Sequence, residues 1–585
     1  MSERKRLSPL LPVAGAVLAG LAIFSCSGGE QAGRANTPAS ADGPRDTLVV
    51  GFQSDADLLM SVVYQSASDS HVMSGIFADT YKATMDCQLD YKPYIAKSWE
   101  FSEDGTQISM KLQEGFQWAD GTPLTAHDMA FTYELIRDPL VASPRLTYTE
   151  YMTEDSPVVV GDYELLWKFT RAYDQITMTA HTGLPPVPKH KLEGADRATL
   201  RGNPLVREPL ASGPFKIEQW LPNEKIVLVP NDNYQGPDEF KPSLNRVIFK
   251  ILPEYATRLV ELENGSTDVA EAILVADADR IRKDHPDITM HRRGWRSMDY
   301  VTWNQLEHAD YKAKKANVAE GEQVDWNDVK RHPIFGDRAV RRALAKAVSV
   351  DKLMADLLTS ETGEVYAKRS VSTITPALCN THNNDIEPMP FDVDTAKAEL
   401  AAAGWVDTDG DGIRDKGGVD LSWKLMTNAG NARRAKGAII MQAQFKDIGA
   451  KVEIETVESN TFFERLRKKD YESALSGWSA GLFVDMSTMW KSGDAQEFNF
   501  PSYANPQVDE LIDAALAEPD PAKNALMWKE IQGIIYEDQP YLFLYWMDEI
   551  VGVHGRFDNA KVDVLSPFHE LWTWSVDPNQ VKYAR

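Results

Sequence analysis

The sequence is poor in cysteine, has no surplus of basic residues and contains no long apolar run after its N-terminus. Its three cysteines, Cys26, Cys87 and Cys379, are too far apart for a closely spaced disulfide framework. It lacks both H-E-x-x-H and C-x-x-C, the usual zinc motifs, so scattered histidines such as His181 and His190 are assigned to the surface or the core. The net charge of −25 argues against nucleic acids and anionic lipid surfaces as partners.

Aromatic residues, by contrast, are plentiful. With 15 Trp, 20 Tyr and 21 Phe and a hydrophobic content of 43%, the chain can build a large core and still line a cavity with rings. Cys87 and Cys379 can pair if the protein is exported, and the sequence leaves that question open.

The N-terminus has the order of a secretory signal. Arg4, Lys5 and Arg6 precede an apolar run from Leu10 to Phe24, and Ser25 and Cys26 follow. Leu21 to Cys26 looks like a bacterial lipobox, which predicts a signal peptide over residues 1–26 and a lipid (diacylglycerol, palmitate) on Cys26. An uncleaved anchor is the alternative, but the run is shorter than the roughly 20 residues of a membrane span.

Residues 27–45 are small and polar, which is typical of a flexible tether. We therefore expect an exported protein attached to the cell envelope by its lipid. It would face the periplasm in a Gram-negative host or lie on the outer face of the membrane in a Gram-positive one.

Residues 93–138 form the most informative stretch. Ile108, Met110 and Leu112 alternate with polar neighbours between two Asp-Gly pairs, which predicts a small hairpin meander. A helix is predicted to follow, with Thr125 as its N-cap and Asp128 closing a capping-box pair.

The order of residues in this stretch is more specific than its periodicity. The elements P-x-I-A-x-S-W-E, D-G-T and L-x-x-G-x-x-W-x-D-G-T-P-L-T-A-x-D resemble the family 5 extracellular solute-binding proteins, the peptide, nickel and oligosaccharide receptors of ABC importers. Further blocks match the family's order at Gly213, Pro214, Trp220, Asn231, Tyr234, Gly265 and Asp268, and in the helix that begins near Val340.

The resemblance implies an α/β, periplasmic-binding-protein-like two-lobed fold (type II, cluster C-like) with an extra inserted domain. Alternating strands and helices between Leu421 and Trp478 independently predict a mixed α/β lobe. We expect a discontinuous lobe I over residues 46–85, 206–290 and 541–585, the inserted domain over 86–205, and lobe II over 291–540.

The resemblance also directs attention to Gly477–Trp490. Peptide-binding members have G-W-x-x-D here, and the aspartate pairs with the α-amino group of the ligand. This chain keeps the tryptophan as Trp478, but Gly481 occupies the aspartate position. Either Asp485 takes over the cation, or the ligand lacks an ammonium group. A surface carboxylate is the alternative role for Asp485, and a core ring the alternative for Trp478.

Four more residues are candidates for ligand contact by resemblance. Tyr545 and Trp546 lie where family members place pocket aromatics, and Trp303 and Asn304 match a strand at the start of lobe II. Core packing is the alternative role for all four.

Two other motifs suggest different chemistry. Gly477–Gly481 is formally G-x-S-x-G, so a serine hydrolase using Ser479, with His554 or His569 downstream, is an alternative function, although the β-like residues that follow do not suit a nucleophile elbow. Asp407, Asp409, Asp411 and Asp415 alternate around a glycine turn, which predicts either a structural Ca²⁺ site or a solvated acidic turn; the glutamate of an EF-hand is missing.

Taken together, the sequence predicts a non-enzymatic, monomeric, lipid-anchored binding protein. Its expected ligand is a peptide or peptide-like solute, with an oligosaccharide or metal complex as the alternative. Its expected partners are an ABC permease and the ATPase subunits of that permease.

Overall fold

The structure is a computed structural model that describes residues 46–319, 322–494, 496 and 498–582. The predicted signal peptide, Cys26 and the predicted tether all lie outside these residues. The first elements along the chain are β1 Thr47–Phe52, α1 Ala67–Ile76, β2 Tyr81–Met85 and β3 Leu89–Pro93. The next group is β4 Ala96–Phe101, β5 Gln107–Leu112, α2 Ala126–Arg137, α3 Thr147–Glu150, β6 Val158–Gly161, β7 Glu164–Lys168, α4 Gln175–His181 and α5 Lys189–Leu192.

The middle of the chain returns to longer strands. Its elements are β8 Phe215–Leu221, β9 Lys225–Pro230, β10 Arg246–Ile251, α6 Tyr255–Glu263, β11 Val269–Ala270, α7 Val275–Asp284 and β12 Ile288–Trp303. A mixed region follows: α8 His308–Lys315, α9 Arg338–Lys346, α10 Val350–Leu357, β13 Ala367–Arg369, α11 Val393–Ala402, β14 Asp415–Lys416, β15 Val419–Asp420, β16 Ser422–Asn428, α12 Ala432–Asp447, β17 Lys451–Val457, α13 Ser459–Arg467 and β18 Ser473–Ser479. The chain closes with α14 Ser487–Trp490, α15 Pro506–Ala517, α16 Pro521–Asp538, β19 Tyr541–His554, β20 Phe557–Asp558 and β21 Ser575–Val576.

One mixed sheet connects most of the long strands. Its order within the described residues is β17-β16-β18-β12-β19-β11-β1-β10-β9-β8, and β13 pairs with β19 at the side. A separate antiparallel sheet, β4-β5-β7-β6, lies in the range predicted for the inserted domain. The predicted mixed α/β class is therefore confirmed.

The long strands β12 and β19 lie in the middle of the large sheet and connect its two halves. Residues 297–303 of β12 pair with β18, while the other end of β19 pairs with β11 through Gly552 and Val553. We call the part of the structure that contains β1 and β8–β11 lobe I. The part that contains β16–β18 is lobe II. The register between the two long strands shifts between Arg293 and Ser297, which we call the crossing segment. This is the two-lobed arrangement with crossing strands that the resemblance implies; the domain boundaries stay predictions.

The local predictions in residues 93–138 are confirmed. Strands β4 and β5 form the hairpin, and Gly105 takes a φ of +66° in its turn. Thr125 caps α2, and the Asp128 carboxylate accepts a hydrogen bond from the Thr125 backbone N–H, so the capping box is complete. These contacts satisfy backbone N–H groups that a helix start leaves without an intrahelical partner.

Cys87 and Cys379 form a disulfide across 292 residues, with their Cα atoms 4.6 Å apart. It links the turn between β2 and β3 to the loop that follows β13. This settles the pairing that the sequence leaves open. Within the described residues, no helix is both long and apolar enough to span a bilayer.

Candidate functional site

A cavity of 780 Å³ lies at the crossing segment, between the two lobes. Lobe I contributes residues 272–276, and lobe II contributes residues 356–359, the start of α12 and the end of β18. The crossing strands supply Arg293, Arg296 and residues 547–550. A volume of this size is within the range of about 300 to 1,000 Å³ that is typical of small-ligand pockets.

Two arginines that share a buried carboxylate form one side of this cavity. Asp299 is fully buried and accepts hydrogen bonds from Arg433 Nε at 2.9 Å and from Arg434 Nε at 3.0 Å. Burial alone would raise the pKa of Asp299, but the two guanidinium groups outweigh it and hold the pKa below its ordinary value. Two cations share one anion here, so the wall keeps a net positive charge.

Gly477 makes this arrangement possible. A Cβ at Gly477 would lie 2.7 Å from the Asp299 carboxylate and 2.6 Å from the Met298 carbonyl, and it would clash with the Arg434 guanidinium. Only glycine lets the arginine approach the strand so closely.

A second charged group lies beside the crossing segment. Arg293 pairs with Glu549 at 3.2 Å, and His71 of α1 lies 3.7 Å from Glu271. Burial, with the neighbouring Glu549 charge, raises the pKa of Glu271 to about 8. Burial, with the Arg293 charge, lowers the pKa of His71 to about 4. At neutral pH the histidine is therefore neutral and the carboxyl of Glu271 is largely protonated.

A smaller cavity of 200 Å³ lies on the lobe II side and shares Trp478 and Ser479 with the larger one. Gly481 and Asp485 also line it. Asp485 accepts a hydrogen bond from the Tyr151 hydroxyl and another, at 2.8 Å, from the backbone N–H of Ser487. The structure thus brings together Trp478, Gly481 and Asp485, three of the predicted ligand-binding residues.

Comparison with known families agrees with this architecture. Residues 90–500 match the model of the bacterial extracellular solute-binding proteins, family 5 Middle. The chain belongs to that family. The oligopeptide-binding protein AppA of Bacillus subtilis is similar to this family 5 chain: it is 27% identical over 583 residues, which cover 98% of this chain and 99% of the relative.

Solved structures show the same fold. AppA from Bacillus subtilis in complex with a nonapeptide has a TM-score of 0.70 at 25% identity, covering 91% of this chain and all of that one. NikA from Brucella suis in complex with Fe(III)-EDTA has a TM-score of 0.73 at 19% identity, covering 91% of this chain and all of that one. The two-lobed fold of this family 5 protein is therefore shared with proteins solved with very different molecules.

The remaining predicted ligand-binding residues lie deeper than the cavities of this family 5 fold. Trp303 and Trp546 are fully buried, and Trp303 stacks on Phe335 at 4.9 Å. Asn304 donates hydrogen bonds to the carbonyls of Lys469 and Tyr471, at 3.0 and 2.9 Å. These three side chains pack in the core, the alternative that the sequence already offered.

Tyr545 has an intermediate position. It is buried and lines neither cavity, but its hydroxyl lies 3.4 Å from the Asp299 carboxylate and donates to it. Through Asp299 it supports the two arginines, and its contact with a ligand stays a prediction.

The geometry around Ser479 does not favour a hydrolase. Ser479 ends β18, and the next helix, α14, starts only at Ser487, so the sharp strand-to-helix turn of a nucleophile elbow is missing there. His554 lies 3.6 Å from Asp287, and His569 Nε2 donates to the Ala83 carbonyl at 2.8 Å. Both candidate bases are engaged elsewhere.

The acidic turn keeps three of its four predicted ligands together. Carboxylate oxygens of Asp407, Asp409 and Asp411 lie within 4.8 Å of one another, and all three residues are exposed. Asp415 instead accepts hydrogen bonds from the backbone and hydroxyl of Thr408, at 2.9 and 2.7 Å. The Ca²⁺ site stays a prediction, without Asp415 in the group.

The sequence patterns do not reveal the charged residues at the larger cavity: Arg293, Arg433 and Arg434 in its lining, and the buried Asp299 that pairs with two of them. One signal was present. Arg433 and Arg434 follow the N-cap Asn431 at the start of α12, where the helix dipole disfavours cations. Cations at this end of a helix need a nearby anion. The sequence therefore signals an acidic partner for these arginines, but only the structure identifies it as Asp299.

Proposed function

We propose that this protein is the solute-binding component of an ABC-type importer, which captures a peptide or peptide-like solute between its lobes and delivers it to a membrane permease with its ATPase subunits. One observation carries the proposal: a 780 Å³ cavity lies where the two long strands cross, with walls from both lobes. The near full-length similarity to an oligopeptide-binding protein supports the peptide assignment.

The crossing strands suit the mechanism of such a receptor. Within the described residues of the large sheet, β12 pairs with β18 of lobe II and β19 pairs with β11 of lobe I. The register between these two long strands is irregular between Arg293 and Ser297. A break in regular pairing lets the two ends of a strand pair rotate relative to each other. A ligand that contacts both lobes stabilises the closed state, because it adds contacts that the open state lacks.

The charge of the larger cavity suits an anionic group on the ligand. Arg433 and Arg434 share the single carboxylate of Asp299, and the N-terminus of α12 adds its partial positive charge. Asp485 already accepts two hydrogen bonds within the protein. We therefore propose that the ligand is held by its anionic end, and that its amino group contributes little.

We also propose that the protein is exported and attached to the envelope through a lipid on Cys26. The apolar run, the lipobox-like Leu21 to Cys26 and the polar segment after it support this. Replacing Cys26 with Ser should release the protein from the membrane fraction. A protein that stays membrane-bound after this change would contradict the anchor but not the binding function.

The binding function is tested by native mass spectrometry of protein purified from cells, combined with titration of tryptophan fluorescence. We expect co-purified molecules in the mass range of short peptides, and saturable binding of short peptides but not of oligosaccharides. The variant Arg433→Ala should bind the same peptides at least about tenfold more weakly, because it removes one of the two arginines that share Asp299 at the cavity wall. Saturable binding of an oligosaccharide without any peptide binding would overturn the peptide assignment.

A further inference from the structure

The smaller cavity differs from the larger one in the chemistry of its lining. Most of its walls are apolar, with Ile374 and Leu378 on one side and Phe483, Met486, Met489 and Phe498 on the other. Among the residues that line it, Asp485 is the one that carries a charge. A charged or strongly polar ligand group that enters such a space loses its hydration without gaining new partners.

Both carboxylate oxygens of Asp485 already accept hydrogen bonds from the protein. One of its oxygens accepts from the Tyr151 hydroxyl, and the other accepts from the Ser487 backbone at 2.8 Å. Tyr151 is itself held by ring contacts, at 4.7 Å from Tyr173 and 4.6 Å from His181. The single charge of the cavity is thus directed toward the protein and away from the ligand.

The size of the cavity limits what can enter it. A volume of 200 Å³ is too small for a whole ligand, since small-ligand pockets run from about 300 Å³ upward. It suits one aromatic or branched aliphatic side chain, since an apolar cavity of about 150 Å³ accommodates a benzene ring. Trp478 and Ser479 line both cavities, so a ligand in the larger one can extend a side chain into the smaller.

The wall formed by Ile374 and Leu378 is fixed by several links. Cys379, directly after Leu378, is bonded to Cys87, and the Asn380 backbone donates to the Cys87 carbonyl at 3.3 Å. On the other side, His382 Nδ1 donates to the Ile374 carbonyl at 2.8 Å, and the Thr375 hydroxyl donates to the Trp295 carbonyl of the crossing segment. A wall anchored in this way keeps the cavity at one width.

From these observations we propose that the smaller cavity is a subsite for one uncharged, apolar side chain of the ligand, and that the Cys87–Cys379 disulfide maintains its selectivity by holding its wall. The inference rests on the proposed function and names the part of the ligand that is selected.

The test uses N-acetylated tetra-alanine peptides in which one alanine at a time is replaced by leucine, phenylalanine or aspartate. For the wild-type protein we expect one position at which leucine or phenylalanine binds about tenfold or more tightly than alanine, because burial of that side chain removes apolar area from water. Aspartate at the same position should bind more weakly than alanine.

A variant that fills the cavity provides the decisive comparison. Met489→Trp should abolish the preference for leucine and phenylalanine, while the all-alanine peptide binds within about threefold of its wild-type affinity. The matched control is Leu526→Trp, which adds the same ring at a leucine that is 65% exposed on α16 and should leave the preference unchanged.

The disulfide is tested with the double variant Cys87→Ser/Cys379→Ser, at a temperature where its circular dichroism matches that of the wild type. We expect the preference for apolar side chains to fall by about fivefold or more, with the all-alanine peptide little affected. Treatment of the wild type with a reducing agent should have the same effect, and the serine variant should not respond to it.

The outcomes separate this inference from the proposed function. If no peptide binds to the wild type, the proposed function fails and the inference fails with it. If peptides bind but no position discriminates leucine or phenylalanine from alanine, or if Met489→Trp keeps the discrimination, the inference alone is overturned. An unchanged preference in the serine variant overturns the role of the disulfide.

Discussion

The hydroxyl of Tyr151 donates a hydrogen bond to the carboxylate of Asp485, 334 residues further along the chain. Tyr151 lies next to the four-stranded sheet, where Met152 bridges to Phe169, and Asp485 lies in the loop after β18 of lobe II. The contact therefore connects two separate sheets directly beside a cavity. It also gives a hydrogen-bond donor to Asp485, the residue that the sequence suggests as a substitute for the aspartate that Gly481 replaces.

This contact predicts that the ligand's amino group has little effect on binding. We expect peptides with free and with acetylated N-termini to bind the wild type within about threefold of each other. In Tyr151→Phe, Asp485 loses its hydroxyl partner, and peptides with a free ammonium group should bind about fivefold or more tightly than their acetylated forms. Fluorescence titration measures both ratios.

The control for that experiment is Tyr151→Phe combined with Asp485→Asn, which removes the charge as well and should restore equal binding. A wild-type protein that strongly prefers the free amino group would contradict the prediction. In that case Asp485, or another anion, binds the ligand directly.

Gly481 allows the opposite experiment. A Cβ at Gly481 would meet only the Phe483 carbonyl, at 3.4 Å, so a side chain fits without strain. Gly481→Asp should supply the anion that the resemblance places there, and it should increase the affinity for peptides with a free N-terminus by about tenfold, with no gain for acetylated peptides. Gly481→Asn, which is the same size without the charge, should give no gain in either series.

The comparison of sequence and structure shows which features depend on local rules. The hairpin around Gly105 and the capping box of Thr125 follow from neighbouring residues, and both were predictable. The pairing of β12 with β19 joins residues roughly 250 positions apart, so no local pattern specifies its register. The prediction of the fold depended instead on the resemblance to a family, because members of a family share the order in which their strands pair.

The candidate site was less predictable for a different reason. A tryptophan at a strand end, such as Trp303 or Trp478, has the same sequence context whether it packs in the core or faces a cavity. The structure separates them: Trp303 is fully buried, whereas Trp478 lines both cavities. Similarly, the partnership of Asp299 with Arg433 depends on the position of α12 against the sheet, which only the tertiary structure provides.

That partnership predicts a large effect on stability. Asp299→Asn removes the anion between two arginines and leaves both cations without their partner in a partly buried site. We expect the free energy of unfolding to fall by roughly 3 kcal/mol, as for other broken buried ion pairs. Urea denaturation followed by circular dichroism measures the loss.

The matched control is Asp155→Asn, which breaks the exposed ion pair with Lys168, where the aspartate side chain is 60% exposed. We expect a much smaller loss for that variant, because water screens an exposed ion pair. Equal losses in the two variants would show that Asp299 contributes no more than a surface charge.

Buried histidines predict that the protein loses stability in mild acid. Burial lowers the pKa of His382 from 6.5 to about 4, and His382 Nδ1 donates to the Ile374 carbonyl. Above pH 6.5 the ring is neutral in both the folded and the unfolded state, so it contributes no pH dependence. Between pH 6.5 and pH 4 the unfolded chain binds a proton at this residue and the folded protein does not, so stability falls as the pH is lowered through this window.

The size of the effect follows from the difference in pKa. For His382 alone, the loss between pH 7 and pH 4.5 is about 2 kcal/mol. Urea denaturation at a series of pH values should therefore show a shallower decline for His382→Gln than for the wild type over this range. His127→Gln, at a histidine whose side chain is 49% exposed, is the matched control for removal of a histidine. Parallel curves for the wild type and His382→Gln would mean that the buried ring takes up its proton in the folded protein, and that the wall of the smaller cavity tolerates the charge.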